Sequence, residues 1–263
     1  MTGRSTNNSA PAQTVQRAVN LLRLIASNHS RELRLIDLAE MSGLDKSTTH
    51  RLLQRLSEER MLVRNPGQRG YRLGPLLYEL GLSALPEHNI KEVARPELSR
   101  LAEITGDMTF LVGRSGFETV CLDRIAGNFH IQTMTSGVGD RRPLGIGAGG
   151  QAILASLSDA EIDQVLAAIS RQLRGYGLFT SQSLMADIAR CRKLGYSLDE
   201  SMAAPDVSAM GMAIRKTNGA PIGAVFIATT SNRLEEARRS KVAHHLASCV
   251  ATIESELNSG SDR

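Results

Sequence analysis

The sequence contains no tryptophan, and only 3% of its 263 residues are aromatic. Single-stranded nucleic acids are commonly held by bases that stack on aromatic side chains, so this composition argues against that kind of binding. Polar residues interrupt the apolar segments often, and no apolar run approaches the roughly 20 residues that a membrane-spanning helix needs. We therefore expect no membrane as a partner.

Cysteine is scarce, since Cys121, Cys191 and Cys249 are far apart and odd in number. The segment Met1–Ala12 is polar and lacks the apolar core of a signal peptide, so we expect it to be a disordered tail. These features predict reduced thiols in a cytoplasmic protein.

Common signatures of enzymes are also missing. The sequence has no HExxH, GxSxG or paired CxxC motif, and the glycine run at 145–150 lacks the Lys-Ser/Thr ending of a phosphate loop. Asp123 beside Arg124 and Asp199 beside Glu200 are candidate catalytic pairs, although surface or ion-pair roles are commoner for such residues. We expect no catalytic residue, no metal site and no cofactor, and keep an enzyme as the less favoured alternative.

Positive charge is concentrated in the first third of the chain. Residues 1–80 contain 12 Lys and Arg against 7 Asp and Glu, whereas the remainder contains 19 against 20. A small basic domain joined to a larger neutral one suggests a nucleic-acid-binding unit attached to a second function. A chance excess of solvated arginines is the alternative on charge alone.

The pattern of apolar residues predicts a helix-turn-helix after an amphipathic helix at 14–27, whose apolar positions include Val15 and Val19. A short helix at 36–41 is followed by Gly43, where glycine suits the positive φ of a tight turn. Asp45 is placed to cap the next helix. Thr49, Leu52, Leu53 and Leu56 form the buried stripe of that helix. The residues left on its outward face are Lys46, Ser47, Thr48, His50, Arg51, Gln54 and Arg55.

This outward face has the chemistry of a DNA-recognition helix. Arg51 is suited to a bidentate contact with guanine, and Gln54 to one with adenine. Residues 46–48 lie at the helix N-terminus, where backbone N–H groups and the helix dipole favour a phosphate. Ordinary solvated faces also contain such residues, but the absence of acids from 46 to 55 favours DNA binding.

Two short strands around the Pro/Gly-rich turn at 65–70 predict a hairpin, which directly after a helix-turn-helix forms a wing. Its arginines, Arg64, Arg69 and Arg72, are candidates for contacts with the DNA backbone or minor groove. The alternative is an exposed hairpin with solvated charges.

With these features the sequence resembles the IclR family of bacterial transcriptional regulators. In the first 74 residues the resemblance is carried by Thr14-Val15-Gln16-Arg17-Ala18, Leu38-Ala39, Gly43-Leu44-Asp45-Lys46-Ser47-Thr48-Thr49, Arg51-Leu52-Leu53 and Tyr71-Arg72-Leu73-Gly74. Beyond them it is carried by Arg95-Pro96, Leu98, Leu101-Ala102, Thr105-Gly106, Gly139-Asp140-Arg141-Arg142-Pro143-Leu144, Gly147-Ala148-Gly149-Gly150-Gln151-Ala152 and Gly195-Tyr196.

The resemblance implies a winged helix-turn-helix at 13–74, a linker helix at 75–89, a GAF-like effector-binding domain at 90–258 and a short tail at 259–263. The residues of the second domain agree with an α+β fold around an antiparallel sheet, because hairpins alternate irregularly with helices. Strands are expected at 108–113, 117–122, 130–135, 195–199, 207–215 and 221–229, and helices at 90–105, 149–155, 159–169 and 183–194. A capping box of Asn232 and Glu235 is expected to open a terminal helix, with Leu246, Val250, Ile253 and Leu257 on its inner face.

Carried over from the family, the effector-binding residues are Gly147, Ala148, Asp199, Ala209, Phe226 and Ala228. Many members have Cys or small hydroxyl residues where this chain has Ala209, Phe226 and Ala228. A pocket without those donors suits a larger apolar or aromatic ligand better than a very small oxoacid. The alternative is that Phe226 partly fills the pocket.

The resemblance also implies a homodimer or homotetramer on a palindromic DNA operator, acting as repressor or activator under the control of a small organic effector, carboxylate or aromatic. One alternative is a ligand-independent regulator whose second domain serves only to oligomerise. Another winged-helix family with an all-helical sensing domain is disfavoured by the predicted hairpins.

Overall fold

A computed structural model describes residues 10–28, 32–64, 70–83, 89–129, 137–177, 179–200 and 205–259. The chain divides into two compact units, Met1–Pro86 and Glu87–Arg263. The expected tails lie outside the described residues at 1–9 and 260–263. Residues 10–12 and Ser259 are helical, so both expected tails were drawn too long. Pro11 is compatible with a helix there, because the first turn needs no intrahelical N–H donor.

The first unit is a helix-turn-helix with a strand hairpin, as expected. Its elements are α1 (Ala10–Ser27), β1 (Leu33–Arg34), α2 (Leu35–Ser42), α3 (Lys46–Glu58), β2 (Leu62–Val63), β3 (Gly70–Leu73) and α4 (Pro75–Ser83). The strands form an antiparallel sheet in the order β1-β3-β2. β1 was not predicted, because two residues are too few to show an alternating pattern.

The core of the first unit joins the three helices of the DNA-binding fold to the hairpin. Leu21 of α1, Leu38 of α2, Leu53 of α3 and Tyr71 of β3 are all buried in one cluster. The assignment of Val15 and Val19 to the apolar face of α1 was wrong, since their side chains are 65% and 39% exposed.

The turn between α2 and α3 has the predicted backbone. Gly43 has φ of 68°, and its N–H donates to the carbonyl of Glu40. Asp45 caps α3, because its Oδ1 accepts a hydrogen bond of 2.8 Å from the backbone N–H of Thr48. The orientation of α3 relative to α2 therefore follows from a local turn and a local cap.

The second unit is an α+β fold around one six-stranded sheet. Its helices are α5 (Ile90–Thr105), α6 (Gly147–Ala155), α7 (Asp159–Leu173), α8 (Ser181–Leu194) and α9 (Glu236–Ser259). Its strands are β4 (Met108–Ser115), β5 (Glu118–Ile125), β6 (Arg141–Pro143), β7 (Ser197–Glu200), β8 (Val207–Arg215) and β9 (Pro221–Thr230). Every pairing in the order β6-β5-β4-β9-β8-β7 is antiparallel, which confirms the expected sheet type.

The two faces of this sheet pack against different helices, because successive side chains of a strand point to opposite faces. Phe110 and Ala228 lie on the face covered by α6, α7 and α8. Leu111, Val225 and Ile227 lie on the other face, against α5 and α9. The first face carries the candidate effector residues.

The strand expected at 130–135 lies outside the described residues. The capping box of Asn232 and Glu235 was wrong: Asn232 lies in a 3-10 turn and accepts a hydrogen bond from the Thr230 hydroxyl, and α9 begins at Glu236. The inner face of α9 is confirmed, since Leu246, Val250, Ile253 and Leu257 are buried.

Among the described residues, no helix has the length and apolar composition needed to cross a membrane.

Candidate DNA-binding face and effector site

The candidate recognition face of α3 is exposed over most of its length. Thr48 is half-buried, whereas the other six side chains of the expected set are exposed. Those six are Lys46, Ser47, His50, Arg51, Gln54 and Arg55. Thr49 and Leu53 lie on the opposite side, in the core. The exposed and buried faces of α3 therefore follow the sequence pattern, and Thr48 lies at the boundary between them.

The N-terminal turn of α3 is organised by Asp45. The carboxylate accepts hydrogen bonds from the Ser47 hydroxyl, at 2.6 Å, and from the Thr48 N–H. These two donors, Ser47 first, hold the pKa of Asp45 well below its usual range. Because both donors are already engaged within the chain, a phosphate at this turn would have to compete with Asp45 for them.

Two residues at the C-terminal end of the face are held by glutamates. Arg55 forms ion pairs of 3.0 Å with Glu58 and 2.8 Å with Glu59. The side-chain amide of Gln54 donates to Glu58 at 3.1 Å. Arg51 forms no ion pair with any residue that the structure describes. Its guanidinium is therefore not held by an acidic side chain of the described residues.

The wing arginines differ in their surroundings. Arg72 forms an ion pair of 3.1 Å with Glu32, and the guanidinium of Arg64 lies 5.2 Å from the ring centroid of Tyr71. Arg69 lies outside the described residues. Both described arginines have exposed side chains and remain within reach of solvent.

Strand register brings four candidate effector residues together in the second unit. Asp199 of β7 is paired with Ala209 of β8, and Ala209 is paired with Ala228 of β9. Phe226 lies two residues before Ala228 on the same strand and so on the same face of the sheet. The four residues form a continuous patch facing α6.

The N-terminus of α6 adds the remaining two residues to this patch. A Cβ atom placed on Gly147 would lie 3.9 Å from Oδ2 of Asp199. The carbonyl of Ala148 accepts a hydrogen bond of 2.6 Å from the Ser197 hydroxyl on β7. All six residues that the resemblance assigns to effector binding therefore lie in one region. We call this region the effector site after that expectation.

Two residues near this site were missed by the sequence analysis. Nη1 of Arg142 lies 4.0 Å from a Cβ placed on Gly147. The ring of Phe110 stacks on that of Phe226, with centroids 4.6 Å apart and an interplanar angle of 4°. Arg142 lies beside the glycine motif in sequence, but Phe110 could be found only from the pairing of β4 with β9.

Family models match both parts of the chain. The model described as "Bacterial transcriptional regulator IclR C-terminal" matches residues 82–255, and the one described as "IclR helix-turn-helix domain" matches residues 14–66. The chain belongs to the IclR family. It therefore belongs to a group of transcriptional regulators with a DNA-binding helix-turn-helix and an effector-binding C-terminal domain.

Two curated relatives of this IclR-family chain are named as regulators. The HTH-type transcriptional regulator XynR of Escherichia coli K12 is 29% identical over 231 residues, covering 86% of this chain and 89% of its own. The transcriptional repressor IclR of the same organism is 28% identical over 243 residues, covering 88% and 86%. Neither name is that of an enzyme, in agreement with the expectation that this chain is not one.

A solved IclR-family structure has the same fold. An IclR homologue from Microbacterium hydrocarbonoxydans, complexed with 4-hydroxybenzoate, superimposes with a TM-score of 0.70 at 20% identity. The match covers 93% of this chain and 98% of that chain. At this identity the likeness concerns the fold alone.

The carboxylates considered for catalysis have structural partners in this IclR-family chain. Asp123 is buried and lies 2.6 Å from Arg95. Glu200 forms ion pairs with Arg190, at 3.1 Å, and with Arg239. Within the described ranges, no group of three or more His, Cys, Asp or Glu residues could hold a metal ion.

Proposed function

We propose that this protein is an oligomeric regulator that binds a palindromic operator through α3 and responds to a small organic effector bound at the effector site. The observation that carries the proposal is the exposed face of α3, with Arg51 outside any described ion pair. The fixed turn at Gly43 and the cap at Asp45 support it, because a recognition helix must be held rigidly to read bases.

The residues of the DNA-binding face would have different tasks. Arg51 reads a base edge in the major groove, and Lys46 binds a phosphate at the start of the helix. Gln54 and Arg55 contact DNA only after exchanging Glu58 for a DNA partner. Arg64, Arg69 and Arg72 on the wing position the domain on the DNA backbone.

Oligomerisation is supported by the apolar surface of α4. None of its residues is buried, and Tyr78, Leu80 and Leu82 are 71%, 50% and 52% exposed. Such a surface favours burial against another copy of the chain. Two copies would present two α3 helices to the two halves of a palindrome.

The effector would act by linkage. A ligand that prefers one arrangement of the oligomer changes the spacing of the two α3 helices, so its affinity and the DNA affinity change by the same factor. An organic acid is supported by the guanidinium of Arg142 near Gly147, and an aromatic one by the half-buried ring of Phe226. The cell compartment that fits such a regulator is the cytoplasm.

The decisive experiment measures binding of the purified protein to its own upstream intergenic DNA and to unrelated DNA across a salt series. We expect selective binding to the upstream DNA, weakening as salt rises because phosphate contacts release counterions. Arg51→Ala should lose about tenfold or more in selectivity, as expected for one bidentate base contact.

Arg23→Ala is the matched control, since Arg23 is an exposed arginine of α1 and is not among the residues of the recognition face. This variant should keep its selectivity. Equal and weak binding of the wild-type protein to both DNAs would leave only a basic domain, and the assignment of α3 as a recognition helix would then be withdrawn.

A further inference from the structure

One edge of the six-stranded sheet is open beside the end of β8. β7 pairs with residues 208–211 of β8, whereas β8 itself continues to Arg215. Among the described strands, none pairs with residues 212–215 on the side of β7. The last residues of β8 therefore border a gap between helices on the two faces of the sheet.

Small side chains line this gap from both faces. Ala152 and Ala155 lie on α6, and Ala247 and Ala251 lie on α9. The members of each pair are three or four residues apart and so share one side of their helix. Because each side chain is a single methyl group, a cavity of about 360 Å³ remains. Small-molecule sites typically have volumes of roughly 300–1,000 Å³. We call this space the sheet-edge cavity.

The sheet-edge cavity and the effector site lie at opposite ends of α6. The effector residues Gly147 and Ala148 begin the helix, whereas Ala155 and Ser156 at its other end line the cavity. A helix rises about 1.5 Å per residue, so Gly147 and Ser156 are roughly 13 Å apart along its axis. No residue of the expected effector set lines the cavity.

A guanidinium with unused donors belongs to the lining of the cavity. Nη2 of Arg215 donates to the Ser156 hydroxyl at 2.9 Å, and the backbone N–H of Arg215 donates to Oε1 of Glu254 at 2.7 Å. No acidic side chain in the described ranges forms an ion pair with this guanidinium. An arginine side chain has more N–H donors than the single bond to Ser156 uses, so Arg215 retains donors for a ligand.

The charges around the cavity favour a negative group. Arg192 and Arg215 line it, against one acidic residue, Glu254. Cys191, also in the lining, is sensitive to these charges. Burial raises the pKa of its thiol to about 11, and Arg215 contributes most among the charges that oppose this rise, because a cation stabilises the thiolate. A ligand anion in the cavity would be stabilised by Arg215 in the same way.

We propose that the sheet-edge cavity is a second small-molecule site, which binds a carboxylate with a compact apolar body. The carboxylate pairs with Arg215, whose planar guanidinium fits two carboxylate oxygens. The apolar body lies on the alanines of α6 and α9 and displaces water from them. The inference goes beyond the proposed function and does not depend on it.

The test is methyl NMR of the full-length protein, with isotope-labelled methionine methyl groups and benzoate as the probe. Met212 lines the sheet-edge cavity, whereas Met108 packs next to the effector residues as the strand partner of Ala228. The two signals, each assigned by its loss in a Met→Leu variant, therefore report on different sites. Benzoate should shift the Met212 signal to saturation. No shift, or a shift of Met108 alone, would overturn the inference.

Two comparison compounds separate the two features of the ligand. Benzamide has the shape of benzoate without its charge, and acetate has the charge without the ring. Each should bind at Met212 about tenfold or more weakly than benzoate. Equal binding of benzamide would overturn the role of Arg215, and equal binding of acetate would overturn the role of the apolar lining.

Arg215→Gln tests the guanidinium directly. The backbone N–H to Glu254 is kept, and we expect benzoate to bind about tenfold or more weakly while benzamide binds as before. A merely structural role would weaken both compounds together, and that outcome would overturn the role of Arg215. Arg171→Gln, an exposed position of α7 outside the lining, is the control and should bind benzoate as the wild-type protein does.

Ala251→Leu tests the location of the site. Ala251 is exposed on α9, so the larger side chain should be tolerated while it fills the cavity. The Met212 shift should disappear, and an unchanged Met108 signal shows that the variant is folded. A shift transmitted from the effector site through α6 would persist in Ala251→Leu, and its persistence would overturn the inference. Ala168→Leu, at an exposed position of α7, is the matched control and should keep the Met212 shift.

Discussion

Phe226 of β9 lies parallel to Phe110 of β4, its direct partner across the two strands, with ring centroids 4.6 Å apart. The edge of the Phe226 ring also meets α6, where a Cβ atom on Gly149 would come within 2.9 Å of Cδ1. Phe226 is therefore fixed from two sides, although it is only half-buried. Glycine at position 149 is what allows α6 to pack this closely on the sheet.

Gly149→Ala should destabilise the second unit. The added methyl group would lie 2.7 Å from Cγ2 of Val112 as well as against Phe226, so α6 would have to move away from the sheet. We expect a loss of about 1–3 kcal/mol in the free energy of unfolding, typical of overpacking in a core. Chemical denaturation followed by circular dichroism measures it.

Gly175→Ala is the matched control, because a Cβ atom there would have no neighbour within 4 Å. It should change the free energy of unfolding by no more than about 0.5 kcal/mol. A double variant Gly149→Ala/Phe226→Leu should recover part of the loss, since the smaller side chain makes room for the methyl group. No loss in Gly149→Ala would mean that the helix–sheet contact is looser than described.

Asp107→Asn should also destabilise the second unit. Asp107 is fully buried and forms ion pairs with Arg233, at 3.2 Å, and with Arg238, at 2.6 Å. Removal of its charge leaves two partly buried guanidinium groups facing a neutral amide. We expect a loss of roughly 3 kcal/mol, the lower end for a broken buried pair, because both arginines keep some contact with water.

Asp159→Asn serves as the control for that measurement. Asp159 also pairs with an arginine, Arg192 at 2.8 Å, but its side chain is 86% exposed. Its substitution should change the free energy of unfolding by less than about 1 kcal/mol. Similar losses for the two variants would contradict the conclusion that the buried ion pairs of Asp107 stabilise the fold more than the exposed pair of Asp159 and Arg192.

The three cysteines should not react with Ellman's reagent at pH 8 in the folded protein. Burial raises the pKa of Cys121 and of Cys191 to about 11, and that of Cys249 to about 12. The reactive thiolate is therefore scarce, and the sulfur atoms are shielded from the reagent. Three thiols should become titratable in denaturant, and rapid reaction of any thiol in the native protein would contradict this burial.

The cap at Asp45 should make the stability of α3 depend on pH. The pKa of Asp45 is lower in the folded chain than its ordinary value of 3.8, so its stabilising effect is present above pH 3.8. The effect is lost as the pH falls further towards the folded pKa. The protection of the α3 amides against hydrogen exchange, corrected for the intrinsic pH dependence of the exchange rate, should fall over that range. Asp45→Asn should remove this component of the fall while keeping an acceptor for the Thr48 N–H.

Local features of the sequence were sufficient to predict the exposed face of α3 and the turn and cap before it. The glycine turn, the Asp45 cap and the apolar stripe act within a few residues of one another, so their outcome depends little on the rest of the chain. The local sequence pattern gave a wrong prediction at the start of α9, where the Asn232 side chain had two possible hydrogen-bond partners. Asn232 was taken as the first residue of a capping box, but its side chain accepts the Thr230 hydroxyl instead, and α9 begins later.

The resemblance suggested which residues belong to the effector site, whereas the tertiary structure decided how they are arranged. The register of β7, β8 and β9 sets Asp199, Ala209 and Ala228 side by side, and the pairing of β4 with β9 sets Phe110 on Phe226. Arg142 meets Gly147 only because β6 joins the edge of the sheet near the start of α6. Contacts between distant segments depend on strand register, and a shift of one residue would turn each side chain to the opposite face. The sequence by itself therefore determined the helix-turn-helix and the exposed face of α3, and only the tertiary structure decided which groups meet at the candidate effector site.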